Sequence, residues 1–288
     1  MTGLANAQSF LDGLLRKPPK MPFNPTLLRD VIAMTSPGST TPIELVARLI
    51  SKEQTLAARI LRLANSAYYG LQAEVTSIQR AVAVLGMNEL RSLVLAVGLA
   101  STVDTRSLPA LFDLRAYWGH QLSVAACCRM LARRVGGCEA EAVYSAGLLH
   151  DLGKLLIASL RPDDWTAIRS LAVLEGMTDA EAEEAHWGID HGMVGARLLS
   201  YWDLPPALTE PVNWHHAPDL AGEFRREATI VNVADGMLHC FIEDACELAP
   251  AIAQRLLDLG VDAEAVKSEL GALLEGERIG AFVSQLVC

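Results

Sequence analysis

Residues 147–154 read Gly-Leu-Leu-His-Asp-Leu-Gly-Lys, which places His150 and Asp151 side by side in an otherwise apolar segment. An aspartate is rarely buried in such a segment unless it is paired or bound to a cation. If the segment is helical, the two side chains lie about 100° apart around the axis and can both reach one ion. Lys154, one turn beyond His150, would lie over the same point, where its charge can hold a phosphate oxygen.

Further histidines and carboxylates lie at comparable positions, next to apolar runs or at the starts of predicted helices. The candidate metal ligands are His120, His150, Asp151, His191, His215, His216 and Asp235. Imidazole and carboxylate together favour one or two ions of iron, manganese, zinc or nickel over calcium, which prefers oxygen ligands alone. On the residues alone an alternative stays open, in which the two aspartates cap helices and the histidines line a polar seam.

The composition indicates a helical protein with a substantial core. The chain has 288 residues, of which 51% are hydrophobic, 20% charged and 6% aromatic, so predominant disorder is excluded. The apolar residues are mainly Ala, Leu and Val, which favours packed helices over a β-sandwich. No stretch alternates strictly between apolar and polar residues. We therefore predict an all-α fold.

The charge distribution divides the chain. Residues 1–113 have a balance of +3 and residues 114–288 a balance of −13. The change coincides with residues 104–113, the best candidate boundary. We predict a leader helix and Pro-rich linker over 1–21, an N-terminal helical subdomain over 22–110, a second helical subdomain over 111–242, and one or two acidic helices over 243–288.

Several classes of function are disfavoured. The net charge is −10 without a long basic run, which is unsuited to direct nucleic-acid binding. The most apolar stretch, residues 93–100, is about half the length that a bilayer requires. None of the six cysteines forms a C-x-x-C pair, and no signal peptide is recognisable. These observations predict a cytoplasmic protein with reduced thiols and no membrane partner.

The order of His120, His150-Asp151 and Asp235 resembles the H…HD…D ligand order of the HD superfamily of metal-dependent phosphohydrolases. More narrowly, residues 22–240 resemble an HDOD domain, the HD-related output domain of bacterial signalling proteins. The segments that carry this resemblance are LRLANSAYYG at 61–70, VTSIQRAVAVLG at 75–86, residues 147–154, Asp190-His191, and WHHAP at 214–218. The resemblance implies an all-α fold in which an N-terminal helical subdomain packs on an HD-type bundle.

The resemblance implies a regulatory module that binds a signalling protein, such as a sensor kinase or regulator, or a nucleotide or second messenger, without turnover. The alternative is an active metal-dependent phosphohydrolase in which Lys154 is catalytic. The ligand set is nearly that of the related cyclic-di-GMP phosphodiesterases. However, their Gly-Tyr-Pro loop is missing after His215-His216, and Ala116 stands one turn before His120, where a carboxylate ligand is expected.

Asn65, Tyr68 and Tyr69 form a candidate partner-binding surface. The alternative interpretation is that Asn65 caps a helix and that the tyrosines pack between domains. The acidic run at residues 181–184 is interpreted as a solvated helix face.

Overall fold

The computed structural model describes residues 2–16, 26–36, 38–242, 248–274 and 278–286. These residues form α-helices joined by short turns and contain no strand, which confirms the all-α prediction. The predicted Pro-rich linker over 17–21 lies outside the described residues. The α-helices are α1 Thr2–Arg16, α2 Thr26–Thr35, α3 Ile43–Ser51, α4 Gln54–Ala64, α5 Ile78–Leu85, α6 Met87–Ala100, α7 Leu114–Val135, α8 Ala140–Leu149, α9 Leu152–Leu160, α10 Pro162–Glu175, α11 Asp179–Trp187, α12 His191–Tyr201, α13 Pro206–Trp214, α14 Arg225–Ile242, α15 Pro250–Asp258, α16 Ala263–Leu274 and α17 Arg278–Leu286.

The chain divides into two compact units. The larger unit comprises Met1–Pro19, Val103–Asp113 and His120–Leu273, and the smaller unit comprises Lys20–Thr102, Leu114–Gly119 and Leu274–Cys288. Both are assembled from separate stretches of chain, whereas the boundaries expected from the sequence are consecutive. Those domain boundaries stay a prediction. The C-terminal region contains three described helices, α15 to α17, rather than one or two.

The smaller unit packs around α6. Residues 90–99 of this helix are all buried, and α2, α4, α5 and α17 pack against it. Asn65 is the C-cap of α4. Its Nδ2 donates to the carbonyls of Leu61 and Val75 at 2.9 and 2.8 Å, and its Oδ1 accepts from the Val75 N–H at 2.7 Å.

The two tyrosines that follow Asn65 lie in a small aromatic cluster of the same unit. The Tyr68 and Tyr69 rings lie 5.1 and 6.3 Å from the ring of Phe282. Tyr69 also donates its hydroxyl hydrogen to a Glu89 carboxylate oxygen at 2.9 Å. Asn65 thus has the C-cap role, whereas these ring contacts of the two tyrosines lie within one unit. The partner-binding role of the three residues stays a prediction.

In the larger unit, glycines allow helices to touch at the His-Asp segment. A Cβ on Gly153 would lie 1.9 Å from the main-chain oxygen of His191, so α9 and α12 meet backbone to backbone. A Cβ on Gly147 would lie 2.7 Å from the Cys128 Sγ and 3.1 Å from the Ala125 Cα, so α8 also packs closely on α7. The glycines that flank His150-Asp151 therefore place this pair against two further helices.

Within the described ranges, no helix is long and apolar enough to cross a membrane.

We predict that Gly153→Ala destabilises the protein by about 3 kcal/mol, because the new methyl group meets rigid backbone rather than a movable side chain. Gly271→Ala in α16 is the matched control, since a Cβ there has no neighbour within 4 Å. The control should be stabilising by about 0.5–1 kcal/mol through helix propensity. Urea unfolding monitored by circular dichroism gives both values, and equal stability of the two variants would contradict the close approach.

Candidate metal centre

The structure brings the seven predicted ligands together in the larger unit. His120 lies within α7, whereas the His150-Asp151 pair joins α8 to α9 as the C-cap of one and the N-cap of the other. The remaining ligands come from the first residue of α12, the end of α13 and the middle of α14. They are His191, His215, His216 and Asp235.

One group of ligand atoms consists of His120, His150 and Asp235. Their ligand atoms all lie within 4.8 Å of one another. The Asp235 Oδ1 is 3.0 Å from His120 Nε2 and 3.7 Å from His150 Nε2. With metal–ligand bonds of about 2.0–2.2 Å, such separations are compatible with one shared ion.

A second group is formed by His191, His215 and His216, whose ligand atoms also lie within 4.8 Å of one another. The Nε2 atoms of His191 and His216 are 2.8 Å apart. The rings of His215 and His216 have centroids 3.9 Å apart. Three imidazoles in this arrangement offer an ion three nitrogen ligands.

The Asp151 carboxylate lies between the two groups. Its Oδ2 is 3.4 Å from His150 Nε2 and 3.7 Å from His120 Nε2, whereas its Oδ1 is 2.9 Å from His191 Nε2. Each oxygen thus faces a different group, and Asp151 also forms a third compact group with His150 and His215. This arrangement can hold two ions that share one carboxylate.

Five buried ligand atoms have no hydrogen-bond partner in the described part of the chain. They are the Nε2 atoms of His120, His150 and His215 and the Oδ1 atoms of Asp151 and Asp235. Each unsatisfied buried polar atom costs about 1–3 kcal/mol. Divalent ions would satisfy all five atoms at once, so the donor set fits iron, manganese, zinc or nickel.

In two of the histidines, His150 and His215, a hydrogen bond at Nδ1 directs Nε2 toward this cluster. The Nδ1 atoms of His150 and His215 lie 2.8 Å from the carbonyl oxygens of Gly147 and Val212, respectively. A carbonyl can only accept, so each Nδ1 carries the hydrogen and Nε2 presents a lone pair. Metal-binding histidines are commonly oriented in this way.

Several pKa values are strongly perturbed. Burial, followed by the neighbouring His150 and His191, lowers the pKa of His215 to about 3 and thus keeps this ring in the neutral form that metals bind. Burial alone would raise the pKa of Asp151, but the neighbouring His150, Lys154 and His191 outweigh it and hold this pKa well below its usual value. Asp151 is therefore ionised and able to bind a cation.

Glu183 corrects the interpretation of residues 181–184 as a solvated face. Its side chain is buried, and its Oε2 accepts from both the main-chain N–H and the Nδ1–H of His191 at 2.7 Å. The spacing of Ala180, Glu183 and Trp187 places them on one helix face, and all three are buried. This spacing could have indicated that Glu183 is buried. Glu183 thus holds the His191 ring with Nε2 toward Asp151.

Lys154 lies beside Asp151, as expected, and is held there by a second carboxylate that sequence reasoning missed. Its Nζ is 3.1 Å from Asp151 Oδ2 and 3.5 Å from Asp179 Oδ2. Burial lowers the pKa of Lys154, but these acids outweigh burial and raise it, so the amine stays charged.

His239, which is exposed, also contacts a predicted ligand. Its Nε2 lies 3.3 Å from Asp235 Oδ1.

A family model for the HDOD domain matches residues 21–218. A protein of Shewanella amazonensis SB2B, named "Putative phosphohydrolase", is 27% identical with a TM-score of 0.76 over 96% of this chain and 97% of its own. An HDOD domain protein of unknown function from Geobacter sulfurreducens is 25% identical with a TM-score of 0.73 over 99% and 97%, respectively.

Two further similarities are more limited. A protein of Marinobacter aquaeolei VT8, named "Putative signal transduction protein", has a TM-score of 0.81 at 21% identity, over 99% of this chain and 67% of its own, and shows the shared fold alone. An uncharacterized protein of Treponema pallidum (strain Nichols) is 26% identical over 176 residues. That match covers 59% of this chain and only 33% of the relative.

We predict that Glu183→Gln lowers the affinity for Zn²⁺ or Mn²⁺ by about 10- to 100-fold, because the carboxylate that orients His191 loses its charge. The neighbouring Glu184→Gln is the matched control, since Glu184 is exposed. Competition with a chromophoric chelator measures both affinities. If both variants bind metal as tightly as the wild type, Glu183 does not support a ligand.

Proposed function

This chain belongs to the HDOD family, and from that premise we propose that it is a metal-binding regulatory module of bacterial signalling. It acts by binding a partner, either a signalling protein such as a sensor kinase or regulator, or a nucleotide second messenger. Turnover of a substrate is not part of this proposal. We place its action in the cytoplasm.

The burial of the ligands is the observation that carries this proposal. His150, His191 and His215 are 0% exposed and Asp151 is 3% exposed. Catalytic metal sites keep a coordination position open to substrate, whereas structural sites are closed by protein ligands. The other three ligands, His120, His216 and Asp235, are only partly exposed. A closed site favours ions that hold helices together.

Metal binding would affect most helices of the larger unit. The ligands come from α7, the α8–α9 junction, α12, the end of α13 and α14, so ions at the cluster join elements that are far apart in sequence. Without ions, five buried polar atoms lack partners. Metal occupancy would therefore change the stability of this unit, and a partner that binds the stabilised form would respond to that change.

We propose that the partner binds the surface formed by Asn65 and the partly exposed Tyr68 and Tyr69.

A second candidate function, hydrolysis of a phosphoester, is supported by the clustering of the seven predicted ligands and by the relative named "Putative phosphohydrolase" at 27% identity. Divalent ions, when bound, supply a water molecule of lowered pKa. In this chain Asp151 and Asp235 would hold the ions, and the charged Lys154 amine would stabilise the negative charge on the phosphate oxygens. The missing Gly-Tyr-Pro loop and the burial of the ligands count against it.

We predict that prolonged treatment with a chelator lowers the melting temperature of the full chain by about 10 °C, since an ion at 1,000 times its dissociation constant contributes about 4 kcal/mol. Differential scanning calorimetry before and after chelation measures the shift, and re-addition of the metal should reverse it. A melting temperature unaffected by chelation, in protein shown to contain metal, would contradict a stabilising centre.

We predict that tag-free protein contains near-stoichiometric iron, manganese, zinc or nickel by elemental mass spectrometry, and that His150→Ala loses it. The matched control is His186→Ala, because His186 bonds to Asp164 outside the cluster. The metal-loaded wild type should hydrolyse neither simple phosphoesters nor cyclic dinucleotides. Hydrolysis that is lost in Lys154→Ala would instead establish the second candidate function.

A further inference from the structure

A cavity of about 970 Å³ lies in the larger unit and contains none of the seven metal ligands in its wall. It is bounded by the end of α7, the turns before α14, the start of α14 and one face of α15. Three arginines line it, Arg225, Arg226 and Arg255, together with four carboxylates. Cavities that bind small molecules measure about 300–1,000 Å³, so this one has the size of a ligand site.

The three guanidinium groups retain capacity for a ligand. Arg225 lies 2.5 Å from an Asp219 oxygen, Arg226 donates to the carbonyl of Gly136 at 3.2 Å, and Arg255 donates to the Oδ1 of Asn232. A guanidinium has five N–H donors, and these described contacts use one partner for each arginine. Arginine donors in such number are suited to a phosphate, which accepts two parallel hydrogen bonds from one guanidinium.

The carboxylates require a second kind of group on the ligand. Glu227 lines the cavity, and its buried Oε2 has no hydrogen-bond partner within the described ranges. Inorganic phosphate could engage the three arginines but offers the four carboxylates no N–H donors. The carboxylates would accept hydrogen bonds from the amino group of a nucleotide base. A mononucleotide combines the phosphate and the amino group in one molecule.

Two hydrogen bonds connect the cavity to the metal centre. Arg255, in the wall of the cavity, donates to Asn232 Oδ1, and Asn232 Nδ2 donates to the main-chain oxygen of His215 at 2.7 Å. Asn232 lies in α14 and Arg255 in α15. These two helices also touch one turn beyond Asn232, where a Cβ on Gly236 would lie 2.6 Å from the Ile252 side chain. The position of α15 is thereby coupled to the carbonyl of one ligand and to the residue after Asp235.

We propose that this cavity is an effector site for a mononucleotide with an amino-bearing base, and that its occupation is transmitted to the metal centre through Arg255, Asn232 and His215. A phosphate held by the remaining N–H groups of Arg255 would shift the guanidinium and weaken its hydrogen bond to Asn232 Oδ1. Asn232 is then released to change its hold on the His215 carbonyl. The transmission, though not the cavity itself, rests on the proposed metal centre. By linkage, the metal changes the nucleotide affinity by the same factor.

The cavity is tested by isothermal titration calorimetry on the metal-depleted full chain with AMP, CMP and GMP. Ribose 5-phosphate, which has the phosphate but no base, is the control ligand. We expect saturable binding of at least one nucleotide, at least tenfold tighter than binding of ribose 5-phosphate. Arg225→Gln and Arg226→Gln should each weaken it at least tenfold. Both side chains are exposed, so neither change should impair folding.

Arg197→Gln is the matched variant for this titration, because Arg197 is exposed on α12 and does not line the cavity. It should bind nucleotide like the wild type. The absence of saturable binding would overturn the effector site, and so would binding that survives both cavity variants. Equal binding of ribose 5-phosphate would overturn recognition of the base.

The transmission is tested by chelator competition for Zn²⁺, with and without saturating nucleotide. The wild type should show about a tenfold change in metal affinity. In Asn232→Leu the nucleotide should still bind but leave the metal affinity unchanged, because Asn232 does not line the cavity. An unchanged affinity in the wild type would overturn the transmission. A wild type that binds no metal would refute the metal centre, whereas the calorimetric result would still decide the cavity.

Discussion

The negative charge of Asp151 constrains the helices around it, because an ionised carboxylate that is 3% exposed must be compensated. His150, Lys154 and His191 surround it within 3.4 Å. The chain passes from α8 to α9 at the His-Asp pair, and Gly153, two residues after Asp151, leaves room for the backbone of α12. Glu183 accepts a hydrogen bond from His191, and Asp179 forms an ion pair with Lys154, so both partners of Asp151 are held in place. The cluster is therefore a connected set of charges in which each member holds another in place.

Much of this set could be predicted from local sequence, but the supporting carboxylates could not. The His150-Asp151 pair is recognisable because two ionisable residues interrupt an apolar segment. Glu183 looked like one member of an exposed acidic run. Only the packing of α11, which ends at Gly188 in a left-handed turn with φ 83, directs it toward His191. Asp179 gives no sequence signal, since its partner Lys154 lies 25 positions earlier.

The domain organisation shows the same limit. The change in charge near residues 104–113 is visible in the sequence, and that stretch does separate α6 from α7. Yet residues 114–119 and 274–288 belong with the smaller unit, while Met1–Pro19 belongs with the larger. Such assignments depend on which distant helices meet, and helix periodicity contains no information about that. The arginine-lined cavity is likewise formed by segments more than one hundred residues apart.

Anomalous diffraction from crystals of metal-loaded protein can show whether Asp151 lies between two cation sites. Data collected at the absorption edge of the bound metal should show two peaks, one beside His120, His150 and Asp235 and the other beside His191, His215 and His216. Each peak should lie within coordination distance of a different Asp151 oxygen. Crystals of metal-loaded protein with no peak at this cluster, or with a single peak that Asp151 does not contact, would contradict the account.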